Sequence, residues 1–201
     1  MKRIDISTQK PNFIGCWDLE NKTLCDEIIA FFENNKNLSK EGVTTLGKNT
    51  EAKKTTDITI APKDLEKPKF EIFKKYFKEL HKCYMDYQEQ WPFVKNIFKS
   101  VDIGVFNVQK YNSGDHFAHL HCERTSLNSL HRLFAFMTYL NKVEDGGKTN
   151  FNHYGIQVKP EKGRTLIWPA EWTHAHTGEV LKSGKKYIVT GWLHLPVPEF
   201  K

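Results

Sequence analysis

Hydrophobic periodicity changes once along this chain, and the change falls near Ser100. Before it, Phe70, Phe73, Phe77, Leu80, Tyr84, Tyr87 and Trp91 recur at alternating spacings of three and four. Such a rhythm lines up one side of an α-helix. It predicts a long amphipathic helix from Phe70 to Trp91, ended by Pro92, with Lys74, Lys75, Lys78 and Glu79 on the opposite face. An aromatic stripe of this kind reads as a packing face, so the helix is expected across the back of a sheet. After Ser100, short β-branched and aromatic runs alternate with turn signals about every eight to twelve residues, the pattern of a sandwich or barrel. Strands are expected near 102–110, 116–122, 132–140, 154–159, 164–168, 173–178 and 186–194. The turns between them carry Asn112-Ser113-Gly114, Asp145-Gly146-Gly147, Pro160-Glu161-Lys162-Gly163 and Ser183-Gly184-Lys185. The fold class is therefore α+β and mainly β, with helices upstream and an antiparallel barrel downstream.

The first seventy residues add less. Residues 1–17 read as an extended lead-in, because Pro11 and Gly15 interrupt any helix. Asp18 is a plausible N-cap for a helix over about 20–34, where Leu24, Ile28, Ile29 and Phe32 repeat at helical spacing. The polar, lysine-rich stretch 36–67 is broken by Gly42, Gly47 and Pro62, with room for a short strand from Thr55 to Ile60. A long irregular segment inside a compact domain is often functional, and here a mobile lid or substrate-facing loop is expected.

At 201 residues a single domain, 1–201, is expected, with 1–100 as helical support and loop and 101–201 as the β core. A chain of this length buries roughly 70% of its unfolded surface without covalent staples. The net charge of +6 is spread out rather than concentrated on one helix, which weighs against nucleic acid as partner. Cys16, Cys25, Cys83 and Cys122 form no CxxC pair, and the start MKRIDISTQK lacks an apolar core segment. Reduced thiols and a cytoplasmic setting are the expectation. No apolar run has the length of a membrane span. The oligomeric state cannot be read from these features.

Two short motifs stand out in the β half, His121-Cys122-Glu123 and His174-Ala175-His176. On a strand, His121 and Glu123 would share a face, together with His119. Two imidazoles and one carboxylate make the facial triad of non-haem iron(II) oxygenases. A cupin-type site needs a longer gap between its HxH and its glutamate than His121 and Glu123 offer. Zinc held by several of the nine histidines, or histidines that merely hydrogen-bond within the barrel, remain open on spacing alone.

The stretch from Tyr111 to Trp192 resembles the prolyl-4-hydroxylase-like branch of the iron(II)/2-oxoglutarate-dependent oxygenases, in a compact form found in bacteria and phages. The likeness is carried by Tyr111-Asn-Ser-Gly-Asp115, His121-x-Glu123, Arg132 through Asn141, and Gly146-Gly147-Lys148-Thr149-x-Phe151. It continues through Pro160-x-x-Gly163, Trp168-Pro169-Ala170 and His176, Lys186 and Trp192 at the family's spacings. The resemblance implies a double-stranded β-helix, or jelly roll, with helices packed on its major sheet. It implies iron ligands His121, Glu123 and His176, with His174 as a rival ligand or a substrate-side group. Lys186 would pair with the distal carboxylate of 2-oxoglutarate, Tyr111 and Thr149 would hydrogen-bond it, and Trp192 would stand near the iron. The implied cofactors are Fe(II), 2-oxoglutarate and O2, with ascorbate as an auxiliary reductant. The implied reaction hydroxylates an unactivated C–H bond, first in a peptide or protein and otherwise in a free amino acid or other small molecule, releasing succinate and CO2. A metal-binding cupin-like module without turnover, and the alkylated-base repair branch of the same superfamily, are the competing readings. The latter anchors its co-substrate with an arginine that this chain does not have after Arg164. Two departures from the family pattern stand: the carboxylate is Glu123 where Asp is usual, and one extra residue separates Tyr111 from His121.

Overall fold

A computed structural model describes residues 1–4, 6, 11–44 and 47–196. Two antiparallel sheets face one another. The larger runs in the order Lys2–Arg3, Gly15–Asp18, Arg164–Pro169, Arg132–Tyr139, Lys185–His194, Phe106–Asn112, Thr56–Ile60 and Lys40–Glu41, with Asp102–Ile103 also paired to Lys185–His194. The smaller runs Ile156–Val158, Thr149–Phe151, His176–Gly178 and Phe117–His121. Among the described residues the two sheets do not join into one closed barrel, so the expected barrel is observed as a two-sheet sandwich.

Alternation along the strands of the large sheet decides what lies on each side of it. One face presents Phe106, Val108, Phe134, Phe136, Val189 and Leu193 to the helices. The 20-residue helix Glu71–Gln90 covers that face with Phe73, Tyr76, Leu80, Cys83, Tyr84 and Tyr87, all buried. The aromatic stripe is therefore a packing face, as its spacing predicts. Phe77 meets the rings of Phe106 and Phe136 edge-on, at centroid distances of 4.9 and 6.2 Å, the arrangement aromatic quadrupoles favour. The buried Tyr76 hydroxyl is satisfied: it bonds Thr138, which bonds Thr165 in turn. The helix stops at Gln90, and Pro92 then opens a further short helix, Pro92–Ile97, from the position where its missing N–H costs nothing.

Several local expectations are corrected. The first helix spans Thr23–Asn34, and Asp18 does not cap it: Asp18 ends the strand Gly15–Asp18 and pairs with Arg164. Thr149–Phe151 is a strand that the sequence pattern does not announce. The run expected as one strand over 102–110 is two, separated at Gly104, where a side chain would collide with the His194 ring. The first hundred residues supply strands of the large sheet as well as helices. No helix among the described residues is long and apolar enough to cross a membrane.

Candidate metal and co-substrate site

The opposite face of the large sheet lines a cavity of about 1420 Å³ between the sheets. Residues 107, 109 and 111 of one strand and 186, 188, 190 and 192 of its neighbour all point into it, as a period of two requires. The small sheet contributes from across the gap, and Val43, Thr44 and residues 48–53 lie at the cavity wall.

His121, Glu123 and His176 bring one ligand atom each to within 4.8 Å of one another, an arrangement that could hold a metal ion. His121 and His176 are direct cross-strand partners in the small sheet. Each imidazole donates its Nδ1–H to the carbonyl two residues before it, His121 to His119 at 2.8 Å and His176 to His174 at 3.0 Å. A carbonyl can only accept, so both rings carry a proton on Nδ1 and turn Nε2 toward the cluster. Burial, reinforced by His176 beside it, pushes the His121 pKa down to about 4, which keeps that nitrogen free to bind a cation. The Glu123 Oε1 stands 3.8 Å from the His121 Nε2 and 3.4 Å from the His176 Nε2.

The strand ends at His121, so Glu123 does not join the cluster by sharing a strand face. Its N–H donates to the Ala170 carbonyl at 3.2 Å, its own carbonyl accepts from Arg132 at 2.9 Å, and its Oε2 accepts from the Trp192 indole N–H at 2.7 Å. His119 lines the cavity but stands outside the cluster. His174 is excluded from it too: the expected strand over 173–178 begins only at His176, and His174 sits in a short 3-10 turn. Its Nε2–H donates to the Asn12 carbonyl at 2.9 Å and its Nδ1 accepts from the Thr173 hydroxyl at 3.0 Å, so neither nitrogen is available. What His174 contributes is its backbone carbonyl, which orients His176.

Lys186 is 3% exposed and has no carboxylate within ion-pair distance among the described residues. Its ammonium donates to the Gly147 carbonyl at 3.0 Å and lies 4.1 Å from the centre of the Tyr111 ring, its cross-strand partner. Burial pulls its pKa down to about 7. Gly147 has φ +70 and would place a Cβ 3.2 Å from the lysine stem, so glycine is what lets the chain pass this close. The Tyr111 hydroxyl donates to Gln109 Oε1 at 2.9 Å, and Thr149 shares a 2.6 Å hydrogen bond with Tyr139. The sequence reading missed Gln109 and the support given by Arg132. Gln109 was accessible through strand alternation, two residues before Tyr111; the reach of Arg132 back to the Glu123 carbonyl had no local signal.

A cluster of two imidazoles and a carboxylate suits a divalent metal, and a buried cation with no carboxylate beside it among the described residues suits an anionic ligand in the same cavity. Residues 106–194 match the family model described as 2OG-Fe(II) oxygenase superfamily. Over that stretch the chain is similar to the 2OG-Fe(II) oxygenases. The relatives and solved structures that the chain resembles are prolyl hydroxylases. A prolyl 4-hydroxylase subunit alpha-2 of Caenorhabditis elegans is 29% identical over 82 residues, which are 37% of this chain and 15% of that subunit's length. This chain thus covers far less than two thirds of that relative. Among solved structures, a viral collagen prolyl hydroxylase from Paramecium Bursaria Chlorella virus-1 in its 2OG complex superposes with TM-score 0.67 at 18% identity, over 92% of this chain and 97% of the other. A prolyl hydroxylase of Trichoplax adhaerens, in complex with a hypoxia inducible factor peptide fragment, gives 0.70 at 14% identity, over 92% and 84%. At such identities the structural likeness concerns the fold alone.

Proposed function

We propose that this chain is an iron(II)- and 2-oxoglutarate-dependent hydroxylase acting on an unactivated C–H bond, with a peptide or protein as substrate. The observation that carries the reading is the placement of Lys186, a buried ammonium without a carboxylate partner among the described residues, in the cavity that holds His121, Glu123 and His176. His121, Glu123 and His176 would hold iron(II), and iron with 2-oxoglutarate and O2 would supply the oxidising power, releasing succinate and CO2. The residues of the chain bind and aim. Lys186 would pair with the distal carboxylate of the co-substrate, where desolvation makes an ion pair selective for a dicarboxylate. Tyr111 and Thr149 line the same cavity and would hydrogen-bond the co-substrate in exchange for their present bonds to Gln109 and Tyr139, and the Nδ1–H bonds of both histidines keep the ligand lone pairs aimed at one point. A double-stranded β-helix, the sandwich with its helices on the major sheet, is the proposed fold type of the core. The peptide substrate is supported by the prolyl hydroxylase neighbours and by a cavity far larger than a dicarboxylate needs, bordered by Leu120 and Trp172, both well exposed. The four unpaired cysteines accord with a reducing, cytoplasmic setting as part of the same proposal.

The test is an anaerobic titration of the iron(II)-loaded protein with 2-oxoglutarate, followed through its weak visible charge-transfer band. A saturable band, lost in Lys186→Ala, is the expected result. Bound iron without any band would overturn the hydroxylase and leave a metal-binding module.

A further inference from the structure

The carboxylate of the cluster is a glutamate, and its surroundings are built around that extra methylene. The backbone of Glu123 is pinned at both ends, by Ala170 at its N–H and by Arg132 at its carbonyl. Beyond the pinned backbone, the side chain reaches far enough for its two oxygens to take separate tasks. Oε2 accepts the indole N–H of Trp192 at 2.7 Å, and Oε1 is left facing the two Nε2 atoms. The donor is itself held in place: the Arg132 guanidinium carbon lies 3.6 Å from the centre of the Trp192 ring, stacked on its face. Arg132 therefore touches both the backbone of Glu123 and the residue that grips its side chain. An aspartate on the same backbone would withdraw the carboxylate by about one carbon–carbon bond, ~1.5 Å, from Trp192 and from the histidines together.

We infer that Trp192 and Arg132 form a brace matched to a glutamate, holding Glu123 so that a single oxygen is offered to the metal. Both are positioning residues, acting through Glu123. The inference rests on the metal site proposed above, and it adds that this chain cannot exchange its glutamate for the shorter acid without loss. Hydrogen-bonded partners of metal ligands typically contribute 10–100-fold to affinity, so the brace is large enough to measure.

The experiment is a competition titration of the purified full chain with manganese(II) and cobalt(II), without 2-oxoglutarate, on wild type, Trp192→Phe, Glu123→Asp and the double variant. Each single variant is expected to bind about tenfold more weakly or worse. The double variant should match Glu123→Asp within about twofold, because an aspartate that no longer reaches Trp192 has nothing further to lose. The cobalt(II) absorption spectrum should change in Trp192→Phe, where the second carboxylate oxygen is released, whereas a merely structural tryptophan would weaken folding and leave the spectrum of the bound fraction unchanged. Glu123→Asp alters no core packing and keeps the test valid if the tryptophan variant folds poorly. Unimpaired metal binding by Glu123→Asp, or losses that simply add in the double variant, would overturn the brace while leaving the metal site standing. A wild-type protein that binds neither metal would overturn both.

Discussion

Two buried lysines line the same cavity and live in opposite circumstances. Lys53, 5% exposed, meets the Asp57 carboxylate at 2.7 Å, and that carboxylate also accepts from Thr55 and Gln109. Lys186, 3% exposed, meets a backbone carbonyl and an aromatic ring. A buried cation that already has its carboxylate contributes to structure, and removing one member strands the other. A buried cation without one is a cost the fold carries, which a dicarboxylate would relieve on binding. The two regions are joined by one polar chain, from Asp57 through Gln109 to the Tyr111 hydroxyl and so to the ring beneath Lys186.

The comparison breaks most sharply at Lys186. Lys186→Met should abolish 2-oxoglutarate binding, by more than about 100-fold, yet melt no lower than wild type at pH 7, since a charge is removed from a dry site rather than from an ion pair. A variant that still bound the co-substrate tightly would end the anchoring role. Lys53→Met should do the reverse, lowering stability by about 3–5 kcal/mol in denaturant titrations because the buried Asp57 carboxylate loses its cation and keeps only the neutral donors Thr55 and Gln109, with co-substrate affinity much less affected. Equal effects on stability from the two substitutions would erase the distinction drawn between them.

A smaller effect sharpens the same contrast through pH. The Lys186 pKa is about 7 in the folded chain and about 10.4 when unfolded, so between these values the unfolded state binds more protons. Stability without co-substrate should therefore rise with pH from about 7 to about 10, and Lys186→Met should lose that contribution. Binding a dicarboxylate would restore the charge on Lys186. Calorimetry of the metal-loaded protein in buffers of differing ionisation enthalpy should register uptake of about one proton per 2-oxoglutarate at pH 8 and little at pH 6. Equal uptake at both would dissociate the lysine from the binding step.

Much of the scaffold was legible because its signals are local. The stripe from Phe70 to Trp91 announces the helix Glu71–Gln90 and the face it buries, since a 3.6-residue period can be read without knowing what the helix packs against. Strands of five residues or more, such as Arg132–Tyr139 and Lys185–His194, also stand where the turn signals put them. Gly15–Asp18 and Thr149–Phe151 were not legible, because three or four residues show no period and acquire strand geometry from their neighbours in the sheet. Asp18 illustrates the limit: a good cap by type, it is committed to ladders created by pairing with Lys2–Arg3 on one side and Arg164–Ile167 on the other.

The site divides in the same way. Sequence by itself determined which residue types were available and their order, His121 with Glu123, then His176, then Lys186 ten positions later, and through the family resemblance the kind of chemistry they suit. Only the tertiary structure decided that His121 and His176 are cross-strand partners, that His174 is spent on Asn12, and that Glu123 arrives from beyond the strand's end under the grip of Trp192 and Arg132. The physical reason is range. Side-chain identity and periodicity are properties of neighbours along the chain, whereas a ligand's aim and a lysine's isolation depend on desolvation and on hydrogen bonds to residues that meet only when the sheets close over them.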